Sequence, residues 1–91
     1  MKDLCLKTLP RLEGLILAEH QLQIDKWGVQ NRLPSEWLMF ATEELGELAQ
    51  AIGEWNYRNG LAEDVVKEAI QTATLCLKIA EMFREYDEYG G

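Results

Sequence analysis

With 91 residues, 47% of them hydrophobic, the chain is sized for one small domain and is too apolar to belong to the disordered class. Its 16 acids against 9 bases give a net charge of −7 with the bases scattered, which argues against a nucleic-acid polymer as partner. No apolar run approaches the roughly 18 to 20 residues needed to cross a bilayer, which argues against a membrane protein.

Residues 1–10 admit two readings: Leu4, Leu6 and Leu9 dock on a helical bundle or extend its first helix. Residues 11–27 place Leu12, Leu15, Ile16, Glu19, Leu22, Gln23, Ile24 and Trp27 mostly at helical spacing, and Gly28 follows as a C-terminal stop. "GVQNRLPSEW" reads as a loop, because Gly28 and Asn31 favour turns, Pro34 pushes Leu33 into extended backbone, and Ser35 can cap the next helix. A second helix is expected over residues 36–55, closed by "NYRNG", where Asn59 and Gly60 tolerate left-handed backbone. A third is expected over residues 61–86, a stretch with no Gly or Pro, and the last residues through Gly91 are expected to fray. No alternating apolar run bounded by hairpin turns is present, and there is no internal repeat. The fold expected is therefore all-α: one domain over residues 1–91, an antiparallel bundle of three main helices.

A chain this short buries only about 60 to 65% of its unfolded surface, so stabilisation by a second copy, as a dimer or tetramer, is expected. Cys5 and Cys76 lie far apart without metal-type spacing, and no secretory leader pattern is apparent, which points to the cytoplasm with both thiols reduced.

At about 100° per residue, Trp37, Ala41, Leu45, Leu48, Ile52 and Trp55 fall within one arc of about 80° on the second helix. Glu44 projects at the edge of that arc between Phe40 and Leu48, with Glu47 on its flank and Glu43 further round. On the third helix Val65, Ala69, Ala73, Cys76, Ala80 and Phe83 form the expected stripe, with Cys76 as a small buried hydrophobe. Glu68 is flanked there by Thr72, Leu75 and Ile79, and Asp64, Glu68 and Gln71 line up beside the stripe. An ionised carboxylate taken out of water without a partner costs several kcal/mol, and it escapes through a shifted pKa, a cationic partner or a metal. No Lys or Arg stands three or four residues from Glu44 or Glu47. Side chains three apart on a helix are neighbours, so Glu44 with Glu47, and Glu68 with Gln71, can share a small cation; oxygen-only ligation selects Mg²⁺ or Mn²⁺ over zinc. E-x-x-E is also common on solvated helices, so spacing alone leaves an ordinary acidic face as the commoner reading.

"QLQIDKWGVQNRLPSEWLMFATEELGELAQAI" followed by "KEAIQTATLCLKIAE" resembles the MazG-like members of the all-α nucleoside triphosphate pyrophosphohydrolases, over about residues 19–83. The resemblance joins a Trp-Gly loop, an E-E-x-x-E helix and a second acidic helix in order. It implies an Mg²⁺-dependent enzyme, built as a dimer or tetramer, that cuts a nucleoside triphosphate between the α and β phosphates to give a monophosphate and pyrophosphate. By position, Glu44 and Glu47 match the family's first metal-binding pair, Glu43 the acid that often precedes it, and Glu68 the start of the second pair. Gln71 stands where the family usually has Asp, which removes one negative charge and leaves a neutral carbonyl oxygen. Asp64, one turn before Glu68, is the candidate to replace the missing carboxylate. One of Glu43 and Glu47 is expected to orient the attacking water.

The resemblance also brings in Trp27, whose flat ring can stack on a nucleobase, beside a core role that fits it equally well. Lys26 and Arg58 are candidate phosphate contacts, with a plain surface role the commoner one. His20 is expected to pack or face solvent, and Trp37 and Trp55 to serve the core or an interface. Two rivals to the enzyme reading stand: a non-catalytic relative acting as a nucleotide-sensing or interaction module, and a structural helical oligomer without a ligand.

Overall fold

The computed structural model describes residues 3–88, with side chains through residue 84. Three helices, α1 (Leu9–Trp27), α2 (Pro34–Tyr57) and α3 (Ala62–Glu88), account for the secondary structure of the described residues, which contain no strand. None of these helices is long and apolar enough to cross a membrane. The expected fraying through Gly91 lies outside the described residues. The chain divides after Gln30 into two compact units, the first holding α1 and the second α2 and α3.

In the first unit the Thr8 backbone N–H and hydroxyl both donate to the Cys5 carbonyl, at 3.0 Å each, which closes a turn ahead of α1. Pro10 sits in the first turn of the helix, where its missing N–H costs nothing. Leu9 thus joins α1, whereas Leu4 and Leu6 stay outside it and are exposed. Gly28 ends the helix as its position suggests: its φ of 73° is left-handed, and its N–H donates to the Ile24 carbonyl at 2.7 Å. His20 is partly buried.

In the second unit α2 begins at Pro34, ahead of the expected start, and Ser35 is not its cap. Proline is pre-organised for the first helical position, and the Glu36 carboxylate reaches back to accept the Leu33 backbone N–H at 3.0 Å. Glu36 also pairs with Arg32 at 3.5 Å. The far end of α2 closes on the Glu54 carbonyl, which accepts from the N–H groups of Arg58 (2.8 Å) and Gly60 (2.9 Å). Asn59 takes the left-handed conformation at φ 59°, which its short polar side chain tolerates. Gly60 meets the α2 backbone so closely that a Cβ there would lie 2.8 Å from the Glu54 carbonyl carbon. Glu63 and Asp64 then fall in the first turn of α3, where the helix dipole favours acids.

The two helices run antiparallel. Gly60 lies against Glu54, Gln71 meets Glu44, and Lys78 sits 4.9 Å over the Trp37 ring, so partner numbers rise on α3 as they fall on α2. Trp37, Ala41 and Leu75 form the buried core, with Phe40, Ile79 and Met82 packed against them. Trp37 and Phe40 meet edge to face at 6.1 Å between centroids. The buried Thr74 hydroxyl is satisfied by the Ile70 carbonyl at 2.8 Å.

The face of α3 turned to α2 differs from the stripe expected. Leu75, Ile79 and Met82 pack on α2, whereas Cys76, Ala80 and Phe83 are exposed, so Cys76 is not a buried hydrophobe. Two apolar rows lie side by side on α3, and helical periodicity cannot say which one meets a partner. The row that does continues into Glu68 and Gln71. On α2 the expected arc is buried at Trp37 and Ala41, while Leu45 and Trp55 are 56% and 54% exposed, so Trp55 is not core within this chain.

Candidate metal centre

Two features of the hairpin bring acids together. Glu44 and Glu47, one turn apart on α2, face α3 at the level where Glu68 comes across. One carboxylate oxygen from each of the three lies within 4.8 Å of the others. The cluster sits between the Trp37–Leu75 core on one side and the Asn59–Gly60 turn on the other, so both helices are anchored on either side of it. Glu44 and Glu68 are partly buried and Glu47 is exposed.

Gln71 completes the cluster in an unexpected way. Turned nitrogen-inward, the orientation that two ionised carboxylates favour, its amide would donate to Oε2 of Glu44 at 2.9 Å and to Oε2 of Glu68 at 3.0 Å. The sequence suggests a carbonyl ligand at this position, and either end of the amide can face the acids. Residue type fixes the group but not which of its two ends turns inward.

Asp64 and Glu43 stand outside the trio, and both are exposed. Asp64 borders an open groove of about 340 Å³ that Glu47, Gln50, Glu54, Lys67 and Glu68 also line. Lys67 does not stand out in the sequence, where one lysine beside an acid carries no signal. Lys26 and Trp27 belong to the α1 unit, where the Lys26 ammonium lies 4.6 Å over the exposed Trp27 ring in a cation–π contact. Arg58 is exposed and reaches Glu54 at 4.0 Å.

The electrostatics follow from this placement. Burial pushes the Glu44 carboxyl up to about 7, helped by hydrogen bonding to the Glu68 carboxyl and by the neighbouring charges of Glu47 and Glu68. Ion pairs among the described residues, Arg32 with Glu36, Arg58 with Glu54 and Arg84 with Glu81, leave Glu44, Glu47 and Glu68 aside.

No family model, curated protein or solved structure matches the chain.

The donor set suits a hard divalent cation. Three carboxylates and one amide carbonyl within a side-chain rotation are oxygen donors of the type Mg²⁺ and Mn²⁺ prefer. On one octahedral Mg²⁺, adjacent ligand oxygens stand about 3 Å apart and opposite ones about 4.2 Å. The 4.8 Å envelope of the three carboxylates is wider than both, so the acids would have to draw inward to share one ion.

Proposed function

We propose that this chain is an Mg²⁺-dependent nucleotide pyrophosphohydrolase, with Mn²⁺ as an alternative ion, that cleaves (deoxy)nucleoside triphosphates between the α and β phosphates. The observation that carries the reading is the convergence of Glu44, Glu47 and Glu68 from two helices to within 4.8 Å, with no ion pair to balance them among the described residues. The resemblance to MazG-like enzymes in "ATEELGELAQAI" and "KEAIQTATLCLKIAE" supports the same residues as ligands.

In this reading Glu44, Glu47 and Glu68 hold the cation. When bound it neutralises phosphate charge and makes a coordinated water more acidic. The chain's own part is to fix those carboxylates on two rigid helices and to receive a polyanion despite a net charge of −7. Glu47, exposed and facing the groove, or its neighbour Glu43, orients the water. Lys67, in the groove lining beside Glu68, is the cation for phosphate. Homo-oligomerisation, to a dimer or tetramer completing a larger bundle, is part of the proposal. Leu45, Trp55 and Phe83 are each more than half exposed, and a partner subunit would take them out of water. A cytoplasmic setting is also proposed, in keeping with the free thiols of Cys5 and Cys76.

The test is pyrophosphate release from a panel of ribo- and deoxyribonucleoside triphosphates with Mg²⁺, for wild type and Glu68→Gln. Release by wild type, reduced at least about a hundredfold in the variant, is expected. A folded wild-type protein that turns over none of them would leave the second reading, a non-catalytic nucleotide-sensing or interaction module. The observation favouring that second reading is the neutral Gln71 amide, which stands beside Glu44 and Glu68 where the resemblance implies an aspartate.

A further inference from the structure

We propose that one side of the α2–α3 hairpin, carrying Leu38, Leu45 and Ile52 on α2 and Ala69, Cys76 and Phe83 on α3, is the surface on which a second copy of this chain docks through the same face. The inference deepens the homo-oligomer part of the reading above by naming its surface, and it does not depend on the acid cluster.

Helix geometry puts the two rows on one side of the hairpin. Trp37 and Glu44 face α3, and Glu68, Leu75 and Met82 face α2. Leu38 and Leu45 come one residue after the first pair, and Ala69, Cys76 and Phe83 one residue after the second set. Each row is thus turned about 100° from the seam, in the same sense about its own axis. Because the helices run antiparallel, that common turn carries both rows to the same side. Their members recur every seven residues, the period at which a helix keeps one row against a partner helix.

Exposure and charge point to what covers this face. Leu38, Leu45, Ile52 and Phe83 are 59%, 56%, 41% and 52% exposed, and Cys76 is exposed as well. A fully exposed side chain of this size presents roughly 150–250 Å², so these four with Trp55 leave roughly 500 Å² of apolar surface in water. The Ala, Thr and Cys side chains between them extend the face to roughly 800 Å², the share each partner contributes to a stable interface. No member of either row is charged, nor is any residue three or four positions beyond one, up to Phe83, although 27% of the chain is charged. A phosphate or a charged peptide finds no pairing group there. The apolar arc of α1 is no match either, because Glu19 falls within it between Leu12, Leu15, Ile16 and Leu22. The face meets a copy of itself without burying a charge, and it lets two chains of net charge −7 join without setting acid against acid.

The experiment combines sedimentation equilibrium of the full chain, in EDTA and reductant, with the rate at which Cys76 reacts with a thiol reagent. Cys5→Ser serves as the background for the second measurement, leaving Cys76 as the one thiol. The expected result is a dimer in which Cys76 reacts at least about tenfold more slowly than in the monomer. Leu45→Lys and Phe83→Lys, each placing two charges in a symmetric interface, should raise the dimer dissociation constant at least about a hundredfold and restore the fast Cys76 reaction, with helix content kept in circular dichroism. Leu77→Lys, exposed on α3 but off this face, should leave the dimer intact. A dimer with fast-reacting Cys76 that both folded lysine variants retain would overturn this surface and leave the homo-oligomer reading standing. A wild type that stays monomeric with fast-reacting Cys76 would overturn both. A monomer with protected Cys76 would mean that a segment of the same chain covers the face, and would overturn the proposal too.

Discussion

Replacing Glu44 by glutamine removes the group whose titration the cluster distorts most, and its consequence can be worked from the structure. The carboxyl is raised from 4.5 to about 7 in the folded protein. Between those values the folded chain binds more protons than the unfolded one, so stability falls as pH rises through that window and levels off above it. At about 1.36 kcal/mol per unit the full shift amounts to about 3 kcal/mol; solvent reaching the half-exposed cluster reduces this to about 1–2 kcal/mol. With a urea dependence of about 1 kcal/mol per molar for a domain this size, the wild-type midpoint should drop by about 1–2 M between about pH 4.5 and pH 8, in EDTA. Glu44→Gln carries no titrating carboxyl, so its midpoint should fall by clearly less across the same range. Contributions from groups remote from the cluster are common to both proteins and cancel in the comparison. Equal pH slopes for the two proteins, or a wild type that gains stability across this window, would refute the reasoning.

Other perturbations test the remaining parts of the account. Glu47→Gln and Glu68→Gln should each weaken Mg²⁺ or Mn²⁺ binding by at least about tenfold in calorimetry, without unfolding the hairpin in circular dichroism. About 10 mM Mg²⁺ should stabilise wild type by about 1.4 kcal/mol if the dissociation constant is about 1 mM, and should leave the triple glutamine variant of the three acids unchanged. Gly60→Ala forces a Cβ onto the Glu54 backbone and should cost about 1–3 kcal/mol in urea denaturation. Leu75→Ala should cost about 2–4 kcal/mol, whereas Cys76→Ala, on the exposed neighbouring row, should change stability by less than about 0.5 kcal/mol; the reverse ranking would restore the stripe expected from periodicity.

The helices were legible in the sequence because Gly28, Pro34 and the Asn59–Gly60 pair punctuate apolar stretches of helical period. Their ends were less so. Pro34 competes with Ser35 for the start of α2, and the winning cap is the Glu36 side chain reaching back, a contact that depends on rotamer rather than residue order. The acids at 44, 47 and 68 stood out because carboxylates on the margin of an apolar face lack in-helix partners, and the hairpin gathers them. The buried row of α3 was not legible, because Val65–Ala69–Cys76–Phe83 and Leu75–Ile79–Met82 are both apolar and only the position of α2 chooses between them. Gln71 was legible as a member of the site and illegible in its orientation, since the two ends of an amide share one letter of sequence.

The central claim is that Glu44, Glu47 and Glu68 converge on one divalent cation, and Mn²⁺ makes it directly visible. Crystals grown with MnCl₂, measured at a wavelength where manganese scatters anomalously, should show a single strong peak about 2.2 Å from an oxygen of each of the three carboxylates. A protein saturated with Mn²⁺ whose three carboxylates diverge into solvent with no peak between them would contradict it.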